Sequence, residues 1–403
     1  MKLHELNFEN PFYSSIYCER HVNDSKGRFN EYSEVNPIYD PQGSMSQIQV
    51  PFTWIKKENL EVYQSNPSLE LLLDVCRDQE YKFFWHPDTI RSAFNINGYA
   101  SMQPTSSTRT MLSMDSLAYY VKKDLDKKHF RFVRRLKRSS VIHSIEICNE
   151  LRTLVFQLPS DSTYSFLPES LGLVILNGPY EESGVLFRET KPASASKDKR
   201  IIIPYHSLYA DDPNDLESKP LLIQLCEKNS PFDPLGFFLE HIVGYIQDAW
   251  VLLVTKLGLL PELHGQNSLI EIDENFFPTR VIHRDFQGTY SDSEIRRSLN
   301  LNVFKKHIVG EEYGTSKASQ YSHVYDGMIG RYLLSRLTKT FCAYYKSFDY
   351  KTVSSEISRR FHSIPNNITD MFPITTYKFG NSATEQEGND VILVDTKELP
   401  DFR

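Results

Sequence analysis

Leu235, Phe238, Leu239, Ile242, Ile246, Ala249, Trp250, Leu253, Val254 and Leu257 recur at steps of three and four, the spacing of one face of a long α-helix. Gly258 ends that helix, and Leu259-Leu260-Pro261 leads straight into the polar stretch Glu262-Leu263-His264-Gly265-Gln266-Asn267. Two apolar runs follow, 268–272 and 280–282, and predict a hairpin whose far end is His283-Arg284-Asp285-Phe286-Gln287-Gly288. Further helical patterns cover 324–345 and 353–361, and a short helix is expected within 67–76 with Ser68 as a candidate cap. Residues 81–85 read as an aromatic strand. The β-like runs 154–156, 173–176, 184–189 and 201–203, with turn residues between them, predict one antiparallel sheet. Residues 1–50 show little apolar periodicity and read as loosely structured; 192–199 read as a mobile loop and 210–215 as a linker. The expected division is 1–80, 81–212, 213–380 and a polar, acidic tail 381–403.

Composition narrows the class. The 403 residues are 40% hydrophobic, 13% aromatic and 24% charged, which is the range of a globular chain long enough for two or three cores. A net charge of -7 opposes nucleic acid as a partner of the whole molecule. Five scattered cysteines, Cys18, Cys76, Cys148, Cys226 and Cys342, form neither a C-x-x-C nor a zinc pattern and read as reduced thiols. The start has no apolar signal core, and Glu240, His241, Gln247, Asp248 and Lys256 interrupt the longest apolar region, so the expectation is a cytoplasmic protein with no membrane span.

Candidate chemistry lies at three places. Pro104-Thr105-Ser106-Ser107-Thr108-Arg109-Thr110 combines small hydroxyls with a guanidinium, donors that can wrap phosphate oxygens or simply form a polar surface turn. No G-x-x-x-x-G-K occurs, so a nucleotide site here is not a P-loop. Residues 122–138 carry nine cations in 17 positions, with Phe130, Phe132 and Val133 between them. That run fits a solvated strand-to-helix edge, a nucleic-acid surface, or cations turned inward toward a polyanionic small molecule. At the third place Asp285, 21 positions beyond His264, offers a carboxylate to a hydrated Mg²⁺, with Asn267 as a second oxygen.

Taken in order, Pro104-Thr105-x-Ser107-x-Arg109-Thr110, Glu262-x-His264-Gly265-Gln266-Asn267 and Arg284-Asp285-Phe286-x-Gly288 resemble the nonribosomal-peptide-independent siderophore synthetases, the aerobactin-synthetase-like group. Lys122 in Tyr120-Val121-Lys122, an arginine near Arg134, and the strand ending in Arg188-Glu189 add to the resemblance, which spans about residues 80–380. It implies an α+β cupped hand of thumb, fingers and palm, with ATP and Mg²⁺ between fingers and palm. It implies that a carboxylic acid, usually citrate, becomes an acyl-adenylate and is then joined to an amine or hydroxyl. Ser107, Arg109 and Thr110 would hold phosphates, with Lys122 and Arg134 adding charge; His264, Gln266, Asn267 and Asp285 would line the nucleotide side, Asp285 and Asn267 meeting the metal. His264, Arg109 and Arg134 are the catalytic candidates, with His264 either orienting the carboxylate or assisting the nucleophile. Arg135 and Arg138 compete with Arg134 for its place. A homodimer is compatible with this reading.

The chain departs from the family pattern at its start. The H-P-x-H-P-x-x-K motif is absent, its nearest trace being His21 to Arg28 with Lys26, which implies a reduced thumb. Two rival readings remain at this level. Asn267 followed by Asp285-Phe286-x-Gly288 imitates a kinase, but Gln266 stands where the catalytic aspartate would be needed. The third reading is a relative that binds ATP without turnover.

Overall fold

The computed structural model describes residues 1–24, 33–40, 43, 45–89, 95–129, 132–194, 199–311, 316–365, 368–380 and 392–403. Lys26 and Arg28, Phe130 and Arg131, residues 195–198 of the loop expected at 192–199 and residues 381–391 of the expected tail lie outside the described residues. The long helix Pro234–Leu257 begins where the Asp233 side chain accepts the Gly236 N–H at 2.9 Å, with Pro234 in its first turn. It ends at Gly258, whose φ of +60° is the left-handed closure, and a Cβ there would lie 2.9 Å from Arg296 Cγ. Its length and composition would suit a membrane span, yet it is the centre of the core. Ile242, Ile246, Trp250, Leu253 and Val254 are fully buried, each worth roughly 1.5–3 kcal/mol, and Trp250 packs on Tyr325 at 4.9 Å.

Among the described residues two larger sheets hold the frame. The first has nine antiparallel strands in the order Leu60–Gln64, Glu169–Ile175, Gly184–Glu189, Tyr119–Lys123, Thr110–Ser113, Gly98–Pro104, Ile48–Lys56, Glu80–Phe84 and Cys76–Arg77. The second has four, Tyr164–Phe166, Pro278–His283, Ser268–Asp273 and Arg200–Pro204, of which the first pair is parallel. The expected hairpin is the middle of this sheet, with Ser268 opposite His283. Asp273 closes its turn by accepting N–H bonds from Asn275 and Phe277 at 2.9 and 2.8 Å. The helix Leu69–Val75 is capped by Ser68, as its sequence predicted, and the α+β class holds.

Three expectations are corrected. Residues 154–156 are not a strand but the end of the helix Arg138–Gln157; a three-residue window hid the helical spacing of Val141, Ile145, Cys148, Leu151 and Val155. That helix lies between two cores: Val141 and Ile145 pack with Leu136, Val174 and Leu186, while Ile147, Leu151 and Leu154 enter the main cluster. The strand at 201–203 does not join the strands before it; it pairs with Ser268–Asp273 in the second sheet. Residues 11–20 are not loose but helical, capped by Asn10 and packed on Arg200–Pro204. This helix buries Ser14, Glu19 and Arg20 beside Ile16 and Cys18, so apolar periodicity could not reveal it.

Candidate active site

The end of the hairpin, the hydroxyl loop and the N-terminal helix meet at one residue, Glu19. Its carboxylate takes both terminal nitrogens of Arg284, the Nη2 contact being 3.0 Å, and accepts Ser106 Oγ at 2.5 Å. Arg284 Nε donates to the Gln266 carbonyl at 3.0 Å, and Gln266 Nε2 donates to the Ser106 carbonyl at 2.9 Å. Glu19 is therefore the clasp between the loop at 104–110 and both polar stretches around the hairpin. Burial opposes its charge, but the Arg284 guanidinium wins and holds the carboxyl below its ordinary range.

A second buried network stands beside the first. Lys122 Nζ donates to Asp285 Oδ1 at 2.6 Å, and Arg188, bonded to Glu169 at 2.6 Å, lies 3.7 Å from Asp285 Oδ2. Asp285 holds a left-handed φ of +69°, a strained position for a non-glycine residue. Burial resists its ionisation, yet Lys122 and Arg188 keep it well below the usual carboxylate range. Glu262 behaves oppositely: burial, then the Asp285 charge, push it up to about 7. Gly288 makes room for it, since a Cβ there would meet Glu262 Oε2 at 2.5 Å.

These networks border a cavity of about 590 Å³. Ser107, Arg109, Thr110, Arg134, His264, Gln266, Asn267 and Asp285 all line it, so the sequence candidates converge, with one exception. Lys122 lies behind Asp285, 2% exposed, its ammonium committed to that carboxylate. Arg109 is also engaged, Nη1 donating to the carbonyls of Arg134 and Arg135 at 2.6 and 3.1 Å and Nη2 to Gln287 Oε1 at 2.9 Å. Its ring of acceptors fixes the segment that turns Arg134 into the cavity. Arg135 pairs with Asp124 at 3.0 Å and Arg138 with Glu61 at 2.9 Å, whereas only Arg134 of the three lines the cavity. With Lys127 on Asp88 at 3.0 Å, much of the basic run is neutralised inside the fold.

His264 Nδ1 accepts the Gln266 N–H at 3.3 Å, which leaves the ring proton on Nε2. Burial pushes this imidazole down to about 4, so it is neutral at pH 7. His206 and His323 also line the cavity, each buried and each with ring nitrogen left without a partner, Nε2 in His206 and both in His323. No sequence signal marked Glu19, His206 or His323; Glu262 and Gly288 stood inside the quoted motifs without a role. Among the described residues no group of three or more His, Cys, Asp or Glu could hold a metal ion.

Residues 94–210 match the family described as IucA / IucC. That match contains the first of the three motifs, 104–110, and agrees with the resemblance read from them. Among solved structures, the petrobactin biosynthesis protein AsbB from Bacillus anthracis str. Sterne aligns with a TM-score of 0.72 at 18% identity, covering 96% of this chain and 76% of that one. ATP-bound aerobactin synthetase IucA from a hypervirulent pathotype of Klebsiella pneumoniae aligns at 0.67 and 13%, covering 98% and 79%. Aerobactin synthetase IucC from the same source gives 0.65 and 14%, covering 85% and 67%. The chain has the fold of the siderophore synthetases. No curated protein sequence matches it.

Proposed function

We propose that this chain is an ATP-dependent siderophore synthetase that activates a carboxylic acid, citrate or a citryl derivative, as its adenylate and joins it to an amine or hydroxyl in the cytoplasm. The observation that carries the reading is the clasp of Glu19, Arg284, Ser106 and Gln266, which holds the IucA / IucC segment and the hairpin motifs around one cavity. The ATP named with IucA supports the nucleotide.

Attack of a carboxylate on the α-phosphorus brings two anions together and expels pyrophosphate, so cations must stand where charge builds. Arg134, with no acid within ion-pair distance among the described residues, supplies a guanidinium, and Arg109 positions it through the 134–135 carbonyls. Ser107 and Thr110 offer hydroxyls to phosphate oxygens. His264, neutral and carrying its proton on Nε2, donates to an anion instead of accepting a proton, so its role is to orient the carboxylate or phosphate. The nucleophile then attacks the acyl carbon and AMP leaves. Mg²⁺ would travel with the nucleotide: Asp285, about 30% exposed, and Asn267 are the oxygens offered to it, a small donor set that suits an ion already held by phosphates.

The kinase reading loses ground on the same geometry, because Gln266 stands where the catalytic aspartate would be needed and its amide is spent on Ser106. Incubation with ATP, Mg²⁺, citrate and a panel of amines, followed by nucleotide separation, tests the proposal. AMP with pyrophosphate is expected; ADP with phosphate would refute it.

A further inference from the structure

The cavity has a second wall, built by a different element from the phosphate-facing loop. His323–Leu334 is a π-helix, a form that rarely exceeds one turn and that recurs at functional sites. Its wide turn places His323, Gly327, Met328, Arg331 and Tyr332 on the cavity, and Lys378 and Phe379 join them from the strand Tyr377–Phe379.

The charge balance of this wall is one-sided. The acids lining the cavity are Asp24 and Asp285; Arg336 holds the first at 3.1 Å and Lys122 the second at 2.6 Å. Among the described residues neither Arg331 nor Lys378 has an acid within ion-pair distance. The same wall carries His323, 3% exposed, with both ring nitrogens unsatisfied and its ring 4.1 Å from Phe379. A buried polar side chain without any partner is costly and calls for a ligand group in front of it. Burial keeps this imidazole neutral, so it can meet an amine or hydroxyl without repelling it.

We propose that this wall is the subsite for the nucleophilic substrate and that this substrate carries a carboxylate of its own, bound by Arg331 and Lys378, while its amine or hydroxyl lies toward His323. The inference rests on the synthetase reading and specifies its second substrate. Tyr332 and Phe379 supply apolar surface for the aliphatic segment between the two ends. A simple diamine would place an ammonium against two unpaired cations and is disfavoured.

The test compares α-amino acids bearing a side-chain amine or N-hydroxyamine with their decarboxylated counterparts, in the wild type and in Arg331→Ala, Lys378→Ala and Lys378→Glu. Citrate-dependent ATP–pyrophosphate exchange reports the first half-reaction and thus the synthetase reading by itself. The wild type should favour the carboxylated nucleophile in kcat/KM. Each alanine variant should raise the KM of that nucleophile about tenfold or more while leaving the decarboxylated one unchanged. Lys378→Glu should shift preference toward the diamine. Equal effects on both nucleophiles, a wild-type preference for the diamine, or a rise in the KM of citrate instead would overturn the assignment. Calorimetric titration of the carboxylated nucleophile into wild type and variants reads the same subsite without turnover. Identical Kd values would refute it even in a protein whose exchange activity is absent.

Discussion

Removing the clasp gives the most direct test of the site's construction. Glu19 and Arg284 are 3% and 6% exposed at the side chain, and they pair bidentately across 265 positions of sequence. Replacing one partner leaves the other charged and buried, a loss of about 3–5 kcal/mol, whereas replacing both by apolar groups of similar volume is close to neutral. Glu19→Leu and Arg284→Met should therefore each be strongly destabilising, and the double variant much less so than their sum. Equilibrium denaturation of the four proteins yields the coupling. Additivity within about 0.5 kcal/mol would refute the pairing. Acid titration adds a sign. Glu19 has a lowered folded pKa, so its contribution is present above the ordinary carboxyl value and is lost only as pH falls through the folded one. In Arg284→Met the carboxyl stays buried without its cation; its pKa rises, and stability should now fall as pH increases. The double variant, although folded, should retain little pyrophosphate exchange, because Gln266 and Ser106 lose the group that aligns them.

Other outcomes follow from single contacts. Arg134→Ala should reduce acid-dependent exchange by about a hundredfold or more, the scale of removing one preorganised donor, and Arg109→Lys should fail to restore an Arg109→Ala loss because one ammonium cannot reach three acceptors; full activity in either would remove the cation from the site. Glu262, raised to about 7 from 4.5, should make stability fall as pH climbs through that window, and Glu262→Gln should flatten the profile; an unchanged slope would contradict its burial. Gly288→Ala should lower activity by displacing Glu262, with partial recovery in Gly288→Ala/Glu262→Ala, and no recovery would place the damage in the backbone.

Much of this architecture could be read from the chain because it obeys simple periods. The helix Pro234–Leu257, its glycine stop, and the hairpin at Ser268–Asp273 and Pro278–His283 each bury a regular apolar pattern. The motif residues were visible because hydroxyl, guanidinium and carboxylate groups cluster in loops. Glu19 was hidden for the opposite reason. Its carboxylate is bonded to Ser106 and Arg284, 87 and 265 positions away, and no local pattern encodes such bonds. The helix Arg138–Gln157 was hidden because it serves two cores, so its apolar residues occupy more than one face. Lys122 had the right neighbourhood and the wrong task, since sequence shows that a cation is near but not which anion takes it.

In the subsite proposed above, the π-helix at His323–Leu334 would make chain length a determinant of recognition. A turn of that form holds about one residue more than an α-turn, so deleting a single residue within it would change the register of the residues that follow. Every side chain beyond the deletion would rotate by roughly 100° around the axis, carrying Arg331 and Tyr332 off the wall without changing either residue. Substrate preference in proteins built this way can diverge by insertion and deletion as readily as by substitution, and alignments that treat a one-residue gap in this helix as neutral would overlook the event.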